Sequence, residues 1–199
     1  MKLVLASDNK GKLREFAALL ADHGIEVISQ GSLGVRPCEE PYGTFLENAL
    51  AKARHAAKAT GLAAMADDSG ITAHALVTEP GVHSARYSGE EKNDEANNAK
   101  LVRRLADFKD KSAHYTCVLV AVRSADDPDP IVCQGCWYGE ITAEPAGDGG
   151  FGYDPYFYLP ELGCTAAQLS AEEKNRLSHR GKAMRLLLAE MQERWGVGR

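Results

Sequence analysis

Apolar and polar positions along this chain alternate between two periods. Leu3 to Ala6 is an apolar run of strand length, and Leu13, Phe16, Ala17 and Leu20 then recur at helical spacing. Between them lies the polar stretch Ser7-Asp8-Asn9-Lys10-Gly11-Lys12, so the pattern predicts strand, loop, helix. Ile25 to Ser29 predicts a second strand, and residues 31–43, interrupted by prolines, predict an irregular loop carrying Glu39 and Glu40. From Thr44 to Thr60 a long helix is expected, with Phe45, Ala49, Ala53 and Ala56 or Ala57 on one face and Gly61 at its C-terminal cap. Its polar face carries Glu47, Asn48 and Lys52.

Further on, Ala63 to Ala66 predicts a strand that ends at Asp67-Asp68-Ser69-Gly70, with Ile71 to Ala75 resuming an extended run. Asn93 to Phe108 has helical periodicity through Ala96, Leu101, Leu105 and Phe108. Tyr115 to Val122 and Ile131 to Thr142 are long strands joined by a turn through Asp126 to Pro130, and they pair as a hairpin. Residues 144–160 are too rich in Gly, Pro and aromatics for a regular helix. Ser170-Ala171-Glu172-Glu173 is a capping box that opens a short helix bearing Lys174 and Arg176, and a last helix runs from Ser178 to Trp195 over Leu187, Leu188, Met191 and Trp195. With no repeat, low-complexity tract or linker, the order predicts a single α/β domain over residues 1–199 with a mixed sheet.

Charge narrows the partners. A formal net charge of -5 opposes the clustered cationic surface that a nucleic-acid backbone requires, so no nucleic-acid partner is expected. No stretch approaches the roughly 18 apolar residues of a membrane span, and the N-terminal apolar run is too short for a signal peptide. Five scattered cysteines, an odd number, fit a reducing cytoplasm better than a disulfide framework. Cys133 and Cys136 have the spacing of a redox or zinc pair, but three residues apart on a strand they face opposite sides and no second pair completes a site.

Several constellations carry candidate chemistry. Ser7 to Lys12 stands where a strand passes to a helix N-terminus, a place where free N–H groups, the helix dipole and two lysines favour anions, although the spacing is not that of a Walker loop. Asp67 and Asp68 offer hard oxygen ligands for magnesium, with Glu40 and Glu47 as further candidates; a plain structural turn is the alternative. Phe151, Gly152, Tyr153 and Asp154 give a flat apolar surface with polar neighbours, as a purine requires, and Lys174, Ser178, His179, Arg180 and Lys182 form a basic group after it. His55, His74, His83 and His114 have no matching partners nearby and read as ordinary histidines. These residue types suit a magnesium–nucleotide enzyme, and equally a phosphotransferase or a non-catalytic nucleotide sensor.

Taken in order, the Ser7-to-Lys12 block with Glu15, Asp67-Asp68-Ser69-Gly70, Ser84-Ala85-Arg86-Tyr87-Ser88-Gly89, Gly150-Phe151-Gly152-Tyr153-Asp154-Pro155, and Lys174 with Ser178-His179-Arg180-Gly181 resemble the inosine triphosphate pyrophosphatase family, whose bacterial members are dITP/XTP pyrophosphatases. The resemblance implies an elongated mixed sheet with flanking helices in two lobes and a central nucleotide cleft, a homodimer and a Mg2+ requirement. It also implies hydrolysis of noncanonical purine triphosphates (ITP, dITP, XTP) to monophosphate and pyrophosphate. By resemblance, Ser7, Asp8, Asn9, Lys10, Gly11 and Lys12 grip the triphosphate, Asp68 is the catalytic carboxylate and a metal ligand with Glu40, and Ser69 touches the nucleotide. Phe151, Gly152, Tyr153, Asp154, Lys174, His179 and Arg180 are the implied base and phosphate contacts. Residues 76–83 depart from the family pattern, lacking its Gly-rich opening and placing His83 where an aromatic hydroxyl is frequent.

Overall fold

A computed structural model describes residues 1–89 and 93–198. Its α/β architecture is a mixed sheet of seven strands, β1 (Lys2–Leu5), β2 (Glu26–Ser29), β3 (Ala64–Ala73), β4 (Ser112–Val122), β5 (Ile131–Ile141), β6 (Phe157–Leu159) and β7 (Cys164–Thr165), in the order β2-β1-β3-β4-β5-β6-β7. β1 runs parallel to β2 and β3, whereas β5, β6 and β7 pair antiparallel. Among the described residues five α-helices accompany it: α1 (Lys10–Ala21), α2 (Phe45–Thr60), α3 (Asp94–Leu105), α4 (Ala171–Leu177) and α5 (His179–Trp195). The chain divides into two compact units, one of residues 1–68, 118–134 and 183–199, the other of residues 69–117 and 135–182.

The first unit is built on small residues. Ala49, Ala53, Ala56 and Ala57 of α2 pack with Val4, Ala64, Ala66, Val118, Val120 and Val122, since alanine at helical spacing lets the helix backbone lie close to β-branched strand residues. Thr44 caps the start of α2 by accepting from the Glu47 N–H, and Gly61 (φ 68°) closes its end in the left-handed conformation. The second unit is aromatic: Tyr87, Tyr115, Trp137, Tyr153 and Phe157 are buried with Ile71, Leu101 and Leu105.

Two expectations change. β3 does not stop at the aspartates but continues through Asp67, Asp68, Ser69 and Gly70 to Ala73, because each carboxylate finds a lysine and so can sit within a strand. α3 ends at Leu105 rather than Phe108, which is left exposed. Its buried polar members are Asn97 and Asn98, and the Asn97 side chain accepts from the Ser88 N–H and donates to the Ala85 carbonyl. Within the Ser84-to-Gly89 block, Ser84 Oγ likewise accepts from the Ile71 N–H, so this block is fastened to its unit by side-chain bonds to backbone.

The departure at residues 76–83 has a conformational counterpart. Val77 (φ 64°, ψ -65°) is the centre of a γ-turn closed by the Thr78 N–H on the Leu76 carbonyl at 2.8 Å. A β-branched residue is strained there, and Val77 is well exposed, so its side chain recovers little by packing. Val77→Gly is therefore expected to stabilise the protein by about 1 kcal/mol, the relief of strain (about 1–3 kcal/mol) exceeding the added chain entropy. Urea denaturation checks this, and a lower midpoint for the variant would refute the strain.

Candidate active site

In the first unit the loop of residues 7–12 is held by its own polar side chains. Asn9 Oδ1 caps α1, accepting from the Gly11 and Lys12 N–H groups at 2.9 and 3.1 Å, and Ser7 Oγ accepts from the Asn9 N–H. The Asp8 carboxylate turns to the Gly31 N–H at 2.9 Å and latches the loop to the segment after β2. A Cβ at Gly31 would come within 2.3 Å of Asp8 Oδ1, so a side chain there would displace the Asp8 carboxylate from this bond. Lys12 reaches across to Asp67, its Nζ 2.8 Å from Oδ2, where Asp67 is almost wholly buried.

Successive strand residues face opposite sides, so Asp67 takes Lys12 of α1 while Asp68 takes residues of α2. Lys52 Nζ sits between two carboxylates, 3.1 Å from Asp68 Oδ1 and 2.7 Å from Glu40 Oε1. Asn48, one turn earlier on α2, donates to Asp68 Oδ2 at 3.3 Å and holds the Tyr42 backbone by both its polar atoms. Burial pushes the Asp68 carboxyl above its ordinary range; Lys52 pulls it down, but Glu40 adds to the rise. For Lys52 burial also works against the charge, yet Asp68, Asp67 and Glu40 together outweigh it and hold the ammonium above its usual value. A carboxylate raised in this way is a stronger base than one in water. Glu47 is taken up by the helix cap, accepting from Thr44 Oγ1 at 2.6 Å.

In the second unit, Gly150 (φ 75°) and Gly152 (φ 63°) turn the loop so that Phe151 is half exposed. Asp154, buried, organises this turn: its Oδ2 accepts from the Phe151 N–H at 2.8 Å and from Lys174 Nζ at 2.5 Å. Asp94 and Asn98 of α3 fix the Gly152 peptide, and Tyr153 donates to the Ser84 carbonyl. Cations lie over the Phe151 ring, Lys174 Nζ 4.7 Å and Arg180 Cζ 5.6 Å from its centroid. His179 and Arg180 are both more than nine-tenths buried, and the His179 ring stacks on Tyr115 at 4.6 Å with planes 6° apart.

A family model described as the Ham1 family matches residues 3–190. The chain belongs to the Ham1 family. It is 60% identical to a dITP/XTP pyrophosphatase of Ralstonia nicotianae over 96% of each chain, and 59% identical to one of Nitrosomonas europaea over 96% of this chain and 95% of the other. Among solved structures, a HAM1 protein from Coxiella burnetii superposes with a TM-score of 0.93 at 48% identity, covering 97% of this chain and 99% of that one. The Ham1 protein of Staphylococcus aureus gives 0.89 at 41% identity over the same shares.

This Ham1 chain thus places the predicted residues in two groups. Ser7 to Lys12, Glu40 and Asp68 fall in the first unit; Ser69, Phe151 to Asp154, Lys174, His179 and Arg180 fall in the second. Sequence reading did not assign Lys52 and Asn48, although two polar residues four apart within the alanine-rich stretch of α2 were the available signal. Tyr115, whose ring carries His179, had no signal beyond its place in a strand. The histidines read as partnerless need correction, because His74 and His114 meet across 40 residues of sequence.

Proposed function

We propose that this chain hydrolyses the noncanonical purine triphosphates dITP, ITP and XTP at the α–β bond, giving a nucleoside monophosphate and pyrophosphate and so clearing them from the nucleotide pool. Relatives named dITP/XTP pyrophosphatase, matching nearly the whole chain, support the reading. The observation that carries it is the half-desolvated pair of Asp68 and Glu40 about one ammonium, with Asp68 raised toward a useful base. Asp68 accepts the proton of the attacking water, held in place by Asn48 and Lys52. Lys12 and the N–H groups at the start of α1 receive phosphate oxygens and stabilise the charge that develops on the leaving pyrophosphate.

Asp68 and Glu40 are the residues that would hold magnesium. They fit it: both are hard oxygen donors, and the Lys52 ammonium already stands between them as a cation would. Among the described residues no third acidic or histidine ligand joins them, a donor set typical of an ion that keeps waters and takes substrate oxygens. When bound, magnesium supplies charge neutralisation to the phosphates. Homodimer assembly and a cytoplasmic location belong to the same reading through the family resemblance; no helix among the described residues is long and apolar enough to cross a membrane.

Base selection follows from donors. Lys174 and Arg180 can only donate hydrogen bonds, so a 6-oxo purine satisfies them while a 6-amino group faces donor with donor. Phe151 offers the stacking face. Phe151→Ala is expected to raise KM for dITP about ten-fold or more, stacking on an aromatic being worth about 1–3 kcal/mol per base, with a smaller change in kcat. Steady-state kinetics on dITP, XTP, dATP and dGTP, each with magnesium and with EDTA, tests the whole reading. Equal kcat/KM on dITP and dATP, or full rate in EDTA, would sink its base or metal component respectively.

A further inference from the structure

His74 and His114 lie in the second unit, apart from the residues assigned to phosphate and base. His74 Nε2 is 2.8 Å from His114 Nδ1, with ring centroids 5.0 Å apart. The other nitrogen of His74, Nδ1, is 2.9 Å from Ser112 Oγ, and that hydroxyl donates its single proton to Asp110 Oδ1 at 2.6 Å. Ser112 therefore accepts from His74, which fixes the Nδ1-protonated tautomer and leaves Nε2 as a lone pair directed at His114. The Ser112 side chain and then its backbone N–H hold the Asp110 carboxyl below its usual range, so the relay keeps its polarity at neutral pH.

We propose that His74 and His114 form a bis-imidazole site for a divalent transition-metal ion of the copper(II) or nickel(II) class. Metal–nitrogen bonds of about 2.0–2.1 Å spanning the 2.8 Å separation subtend an angle of about 85° at the metal. That is the cis angle of a square-planar or tetragonal centre and falls well short of the roughly 109° of tetrahedral zinc. The ion takes the place of the hydrogen bond between the two nitrogens: each ring turns about its ligating nitrogen so that its lone pair leaves the line between them, and the His114 proton moves from Nδ1 to its own Nε2, so the tautomer changes and no proton is released. Asp110 and Ser112 act as carboxylate and hydroxyl partners commonly act behind a metal-bound histidine, setting its tautomer and raising its basicity. Among the described residues no further His, Cys, Asp or Glu completes a three-residue group, so water fills the other positions.

The test is a calorimetric titration of the full-length protein with copper(II), read in parallel by electron paramagnetic resonance. One ion per chain is expected, with hyperfine coupling to two imidazole nitrogens. His74→Asn and His114→Asn should each weaken binding about 100-fold and leave a single coupled nitrogen. Ser112→Ala, which retains both rings, should weaken it about 10-fold, the cost typical of losing an orienting partner. His74 is exposed and His114 half-buried, so the variants should melt as the parent does. Absence of saturable binding, or binding unchanged in both histidine variants, would overturn the site.

Discussion

Asp68→Asn is expected to lower kcat for dITP by about two to four orders of magnitude, the range for removing a positioned general base, and to change KM only a few-fold. The same substitution should leave the melting temperature at or above that of the parent. The sign follows from the direction of the Asp68 shift. Its folded-state value is raised, so its protonated form contributes stability that is present below the ordinary carboxylate value and is lost as pH rises through the folded value. At neutral pH the ionised group is thus held at a net cost, which Asn removes while Lys52 keeps Glu40 as a partner. The parent's kcat/KM should fall on the acid side with an apparent value above the usual 3.9 or so, and that limb should vanish in the variant. A variant of near-parental kcat would remove Asp68 from the mechanism; a clear drop in melting temperature would show that its charge stabilises the fold.

Lys52→Met is expected to destabilise the protein by about 3 kcal/mol, as does removal of one partner from a buried ion pair. Nearly all of that loss comes from Asp68, whose side chain is 13% exposed; Glu40, at 35%, is hydrated enough to count little. The Lys52 value is raised in the folded state, so its contribution is complete below the ordinary lysine value and fades only as pH rises through the still higher folded one. The stability difference between parent and variant should accordingly hold from pH 7 to 9, and should narrow in acid as Asp68 takes up its proton. Urea denaturation at three pH values measures this. A difference under about 0.5 kcal/mol at pH 7, the size of an ordinary surface change, would show that the ammonium does not bridge the carboxylates in solution.

Elements with strong local signals were legible in the sequence. The alanine face of α2 with Thr44 before it and Gly61 after it, the capping box at Ser170, and the hairpin of β4 and β5 all formed where periodicity and caps placed them. The continuation of β3 through its aspartates was not legible, because it depends on lysines that arrive from α1 and α2. β6 and β7 are two or three residues long, and only pairing with a neighbour makes them strands. The same limit applies to chemistry. The ordered blocks named Asp68 and the Phe151 loop as candidates and the resemblance added Glu40, whereas Lys52 and Asn48 meet Asp68, and Tyr115 meets His179, only across 16 to 64 positions of the chain. His74 and His114 were separated by 40 residues and took their meaning only from the bond between them.

The central claim, attack of water on the α-phosphorus, is tested most directly by turnover of dITP in ¹⁸O-enriched water with mass analysis of both products. The account predicts one heavy oxygen in the nucleoside monophosphate and none in the pyrophosphate. Label in the pyrophosphate, or release of orthophosphate with a nucleoside diphosphate, would contradict it.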